Sequence, residues 1–141
     1  MFTIIFSVTH PEKQSQDILG ALELAPDRCQ EKGAQRMTPK GRPLEGRYNE
    51  TKCSFSKAYT GSNSLGNEID NLLNHLMKRK DFLREITATG GSILLYVHLP
   101  GARHRGFMLS DEQLLKLVEI GAKFGFEVFP DWHTKDDAYI T

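Results

Sequence analysis

Residues 92 to 99, Ser-Ile-Leu-Leu-Tyr-Val-His-Leu, constrain the fold more than any other stretch. In an extended chain Ile93, Leu95, Val97 and Leu99 occupy one side, with Leu94 and Tyr96 on the other. A strand that is apolar on both faces belongs in the middle of a sheet, or under cover on both sides. It therefore needs neighbours, and the sequence offers them. Phe2, Ile4, Phe6 and Val8 alternate with Thr3, Ile5 and Ser7, the period of a strand with one strongly buried face. From Glu50 to Lys57 the pattern is again extended, with Cys53 and Phe55 on one face and Thr51 beside them. Asp27 to Lys32 reads as a short polar strand, and Phe126, Val128 and Phe129 as a last one.

Helical spacing fills the intervals. From Pro11, suited to a first helical turn, Ile18, Leu19 and Leu22 fall on one side, and Pro26 closes that helix near Ala25. Ser64 is placed to cap a second helix carrying Leu65, Ile69, Leu72, Leu73 and Leu76. Lys78-Arg79-Lys80 interrupts this stripe before Phe82, Leu83 and Ile86 resume it. Either one helix runs from 64 to 88 or two meet near Lys80-Asp81, with Asp81 capping the second. The break is the preferred reading. Thr89-Gly90-Gly91 ends the helical stretch. Ser110-Asp111-Glu112-Gln113 has the form of a capping box, and Leu114, Leu117, Val118, Gly121 and Phe124 share one face of the helix it opens, which Gly125 ends.

The order is β-α-β-β-α-β-α-β. It predicts an α+β protein of ferredoxin-like sandwich type, a mainly antiparallel sheet with helices packed on one face. Residues 1–130 form the single domain in this reading, and 131–141 a polar C-terminal tail. A chain of 141 residues buries about 70% of its unfolded surface and folds without staples.

Lys32 to Phe55 departs from this regularity. Gly33, Pro39, Gly41, Pro43 and Gly46 argue against a regular element across it, and loops of such length are commonly functional. It also concentrates charge. Residues 28 to 57 hold eight basic side chains against three acidic ones, whereas the remainder holds ten against fifteen and the whole chain is neutral. Overall neutrality argues against a chain built to coat nucleic acid or an anionic membrane. The candidate partner-binding residues are Arg36, Lys40, Arg42, Arg47 and Tyr48, together with an exposed basic turn at Arg103, His104 and Arg105, after which Phe107-Met108-Leu109 returns to the core.

Other chemistry finds less support. Cys29 and Cys53 form no CxxC, so no cysteine-rich zinc site is expected, and no histidine adjoins either in sequence to activate a thiol. On paired strands the two thiols would be neighbours, and a cytoplasmic location would keep them reduced. His10, His75, His98, His104 and His133 make no i,i+4 pair, and His98, His104, Asp131 and His133 converge only through folding, so no metal and no cofactor are expected. Lys40-Gly41-Arg42-Pro43 is not a phosphate loop. The N-terminal apolar run is short, lacks a basic leader and reads as a strand, and no run approaches a membrane span.

With the elements placed, the sequence resembles the bacterial domain-of-unknown-function family numbered 4279 over nearly its whole length. The resemblance rests on Leu22-Glu23-Leu24-Ala25-Pro26, Lys32-Gly33, Thr38-Pro39-Lys40-Gly41-Arg42-Pro43-Leu44, Asp81-Phe82-Leu83, Thr89-Gly90-Gly91 and Leu109-Ser110. It implies a small α+β fold and assigns no activity and no functional residues. Where the family pattern has tryptophans, after Asp27-Arg28 and near the start of the strand at 51–55, this chain has Cys29 and Cys53 close by. The functional expectation is a cytoplasmic, non-catalytic domain that binds another protein, in one concrete form an immunity-type or regulatory protein neutralising an acidic partner. Nucleic-acid or anion binding through residues 28–57 is the alternative, and an enzyme ranks below both.

Overall fold

The computed structural model describes residues 1–60, 63–100 and 106–129. In chain order these form β1 (Phe2–His10), α1 (Ser15–Leu22), β2 (Arg28–Gln30), β3 (Gln35–Met37), β4 (Pro43–Arg47), β5 (Thr51–Tyr59), α2 (Leu65–Met77), α3 (Lys80–Ala88), β6 (Ser92–Pro100), α4 (Asp111–Ile120) and β7 (Ala122–Phe129). The protein is α+β. Its main sheet has five strands in the order β2-β5-β1-β6-β7, and β3 with β4 makes a separate two-stranded sheet. Every neighbouring pair in the main sheet is antiparallel except β6 with β7.

β1 holds the centre, paired with β5 on one edge and β6 on the other. Phe6 stands opposite Phe55 on one side and Leu95 on the other, so the three inner faces are in register. Phe2, Ile4, Phe6 and Val8 from β1, Cys53 and Phe55 from β5, and Ile93, Leu95, Val97 and Leu99 from β6 join one buried cluster. Each helix adds to that same cluster, with Ile18 and Leu22, Ile69, Leu73 and Leu76, Leu83 and Ile86, and Leu117 and Ile120. No helix among the described residues covers the second face of β6. Leu94 and Tyr96 are half-buried there, and the Tyr96 ring covers Gly125, where a Cβ would stand 2.5 Å from it. The two-sided apolar pattern thus reflects a central strand.

Several boundaries shift from their sequence-based positions. α1 begins four residues after Pro11. In the turn between β1 and α1 the amides of Glu12 and Lys13 donate to Nδ1 of His10, each at 2.9 Å. The helical run at 64–88 breaks after Met77, as the preferred reading has it. Asp81 lies in the first turn of α3 and is not its cap, which is Arg79. Arg79 reaches back to Glu23 at the end of α1, so part of the basic interruption ties two elements together. Ser64 caps α2 through the Asn67 amide. The capping box at Ser110 and Gln113 is closed in both directions, at 3.1 and 2.9 Å, and the Gln113 amide group also donates to the Gly66 carbonyl and to Asp70.

The largest correction concerns α4. It ends at Ile120, and Gly121 is its left-handed cap at φ 73°, so Phe124 and Gly125 belong to β7. A left-handed residue satisfies the last helical carbonyls and turns the chain at once into the strand. The buried side of α4 is Gln113, Leu117 and Ile120, and Leu114 and Val118 are exposed. Met108 is exposed as well, while Phe107 and Leu109 pack against the core.

Two tests follow from the packing. At Gly91 a Cβ would lie 2.5 Å from the Thr9 carbonyl oxygen and 2.7 Å from Ile86 Cγ2, with no space to move into. Gly91→Ala should cost about 2 kcal/mol in urea unfolding, as overpacking does, whereas Gly20→Ala, which meets nothing, should not destabilise. His10 is buried, accepts two amides at Nδ1 and contacts Thr89 Oγ1 through Nε2 at 2.8 Å, which makes it a neutral Nε2–H imidazole. Burial first and the Lys13 charge second lower its pKa from 6.5, against smaller opposing effects of Glu12 and Glu85. The unfolded chain therefore binds the proton more readily. The stability His10 contributes is present above the unfolded value and declines as the pH falls through it. The urea midpoint should drop between about pH 7.5 and pH 5.5, and the drop should shrink in His10→Asn, whose Oδ1 keeps an acceptor near Nδ1 without a titrating group.

Candidate partner-binding ribbon

The segment that reads as a structureless loop is a built element. Arg28↔Ser54, Cys29↔Cys53 and Gln30↔Lys52 pair β2 with β5. Gln35↔Arg47 keeps that register in the β3–β4 pair. Between them the Gly33 amide donates to the Tyr48 carbonyl at 2.8 Å and the Tyr48 amide to the Ala34 carbonyl at 3.0 Å. The two short sheets are therefore successive parts of one two-stranded ribbon that leaves the edge of the main sheet. Its glycines set the bends, with Gly33, Gly41 and Gly46 all at positive φ, so the residues that seemed to forbid regular structure shape it. A register shift between Gln35 and Met37 brings Met37 opposite Pro43. The tip closes through Thr38, whose amide donates to the Arg42 carbonyl at 2.8 Å while its Oγ1 accepts from the Arg42 amide at 2.9 Å.

The sequence-predicted binding residues divide on this frame. Lys40 and Arg42 sit at the tip, both exposed. Arg36 and Arg47 are exposed too, but their guanidinium groups serve the ribbon, donating to the Glu45 carbonyl at 3.3 Å and the Gly33 carbonyl at 2.7 Å. Tyr48 is half-buried, and its hydroxyl is bound at both the amide and the carbonyl of Met37, at 3.0 and 3.2 Å. Tyr48 is thus a fastener of the ribbon. Arg28 adds a further donor to the Met37 carbonyl at 3.4 Å. Among the described residues the ion pairs are Lys13–Glu85, Lys32–Glu12, Arg79–Glu23 and His98–Glu127, and none engages Arg36, Lys40, Arg42 or Arg47. Arg103, His104 and Arg105 lie outside the described residues. So do His104, Asp131 and His133 of the histidine set, and His98 stands on β6 with Nε2 3.6 Å from the Glu127 carboxylate. What sequence reasoning missed is the internal bonding of Arg36, Arg47 and Tyr48. The only signal for it is the pairing register, which depends on where the strands end.

At the root of the ribbon Cys29 and Cys53 face each other as cross-strand partners, with their sulfurs 3.3 Å apart and both thiols free. Cys29 is exposed and Cys53 fully buried. Burial first, and then the hydrogen bond shared with Cys29, pushes the Cys53 thiol up to about 12. A thiol so placed holds almost no thiolate at neutral pH and is a poor nucleophile. Iodoacetamide at neutral pH should therefore label native protein once, on Cys29, and label Cys53 only after urea is added. Peptide mass mapping reads both outcomes.

Neither a curated protein nor a solved structure matches the chain. The family match is extensive, covering every described strand and helix. It spans residues 1–129, and the chain belongs to the family described as Domain of unknown function (DUF4279).

Proposed function

We propose that this protein is a non-catalytic binding domain, of immunity or regulatory type, whose basic ribbon engages an acidic protein. The observation that carries the reading is the placement of Lys40 and Arg42, which stand at the tip of a ribbon projecting from the sheet edge without a carboxylate in ion-pair range among the described residues. Unpaired surface charges on a protruding element steer encounters with a partner of opposite charge and cost little to present. The ribbon's own hydrogen bonds hold it extended, so little ordering entropy remains to be lost on binding. Nucleic acid is the rival occupant of the same surface, and Tyr48 weakens that rival because its hydroxyl is already committed and its ring half-covered.

The same reading takes the fold as a ferredoxin-like sandwich with an added α4–β7 unit. Its support is the order β2-β5-β1-β6 with each adjacent pair antiparallel. A cytoplasmic, bacterial setting belongs to the proposal, and there the neighbouring thiols of Cys29 and Cys53 stay reduced.

The test is Lys40→Ser/Arg42→Ser, which removes the tip charges and touches none of the ribbon's fastening bonds. The melting temperature should stay within about 2 °C of wild type, as for exposed substitutions. Affinity for a glutamate-rich probe peptide should fall about tenfold, equivalent to ~1.4 kcal/mol. Wild-type protein that ignores the peptide but binds a DNA oligonucleotide with a steep salt dependence would overturn the reading in favour of nucleic acid.

A further inference from the structure

Among the described residues nothing pairs with the sheet edge opposite the ribbon. β7 runs eight residues, Ala122–Phe129, and among the described residues it pairs only with β6. Long exposed edges with apolar side chains are templates for pairing with another strand, and monomeric proteins usually blunt them with prolines, bulges or inward-pointing charges. Between Ala122 and Val128 β7 has no proline, no break in register and no charge on its helix side; its charges, Lys123 and Glu127, lie on the opposite face. Its helix side presents Phe126 at 61% exposure and Val128 at 54%. Leu114 of α4 lines the same groove, and the outer surface of that helix also exposes Leu115 and Val118, the last at 70%. Phe107 packs edge-on against both Phe124 and Phe126, at 6.0 and 6.2 Å between ring centroids, so the groove between α4 and β7 is apolar along its length.

The sequence of β7 fits one occupant closely. Ala-Lys-Phe-Gly-Phe-Glu-Val is nearly palindromic in character about Gly125. Laid antiparallel on a second copy with Gly125 at the two-fold axis, Lys123 faces the other copy's Glu127, Phe124 faces its Phe126, and Ala122 faces its Val128. Lys123 and Glu127 are exposed on the face of the sheet away from the helices, whereas Phe124, Phe126 and Val128 are on the helix side. Directly opposed cross-strand residues sit close enough to interact, and opposite charges or paired aromatics there favour one register. A two-fold arrangement requires just such a self-complementary patch.

We infer that the protein forms a symmetric dimer by antiparallel pairing of β7 with β7 of a second copy, with the exposed apolar surface of α4 covered against its counterpart. The two sheets become continuous, and the ribbons stand at opposite ends, clear of the interface.

Sedimentation velocity of the full chain over a range of concentrations tests this through charge. Wild-type protein should sediment as a dimer. Lys123→Glu and Glu127→Lys each put like charges opposite one another, and each should move to monomer or weaken association at least tenfold, with circular dichroism unchanged. The double variant Lys123→Glu/Glu127→Lys restores opposite charges in every pair and should dimerise again. An equimolar mixture of the two single variants should form a mixed dimer. Wild-type protein that stays monomeric throughout overturns the proposal and leaves the groove to another partner. Single variants that dimerise as wild type does, or a double variant that fails to recover while folded, also overturn it.

Discussion

The structure depends on one strand having both of its edges and one of its faces occupied. β1 pairs with β5 along its whole length and with β6 along most of it. Its inner residues Ile4, Phe6 and Val8 are buried under the helices. Removing a neighbour from such a strand exposes a row of backbone groups as well as apolar side chains, and each unpaired buried group costs free energy of its own. The short spacer at the end of β1 is correspondingly exact in its bonding. His10 closes the turn into α1 with two amides and reaches Thr89 at the end of α3, while Gly91 lets β6 begin against Thr9 with no side chain between them. The helical layer and the sheet are thus fastened at the point where the central strand stops.

Much of this is legible in residue order because burial imposes a period. Alternation in Phe2–Val8 and Ile93–Leu99 marks strands with one fully buried face, and the four-three spacing around Leu73 marks α2. Caps made by side chains are legible too, as Ser64 and Ser110 show. Ends decided by tertiary partners are not. α1 starts only at Ser15, after a turn in which His10 Nδ1 accepts the Glu12 and Lys13 amides, a contact that periodicity does not report. α4 stops early at Gly121, although Phe124 continues an acceptable helical stripe. Periodicity alone extends such a stripe past its true end, since a residue at helical spacing can equally lie on the inner face of the next strand.

The ribbon shows the same limit for function. Its charge asymmetry is visible in composition, but composition cannot tell a free cation from a bonded one. Arg36, Arg47 and Tyr48 share their exposure or their residue type with good contact residues, yet they spend their polar groups on backbone carbonyls and amides within the ribbon. Lys40 and Arg42 differ only in lying at the turn. The pairing of Cys29 with Cys53 is similar, being open in the sequence and settled only by the register of β2 on β5.

The position of β1 in the sheet has a consequence for the order in which the fold can assemble. A chain made from its N-terminus presents Phe2–His10 long before either flanking strand exists. Its first partner ends at Tyr59 and its second at Pro100, so the sheet centre cannot close until β6 is available. Contacts of such long sequence separation carry a loop-closure cost before they return any stabilisation, which slows folding and leaves an apolar strand waiting. During synthesis that strand is the segment most in need of shielding, and α1, with Ile18 and Leu22, is the first of the described helices to reach it. The strand that organises the finished protein is therefore also the hazard of its unfinished one.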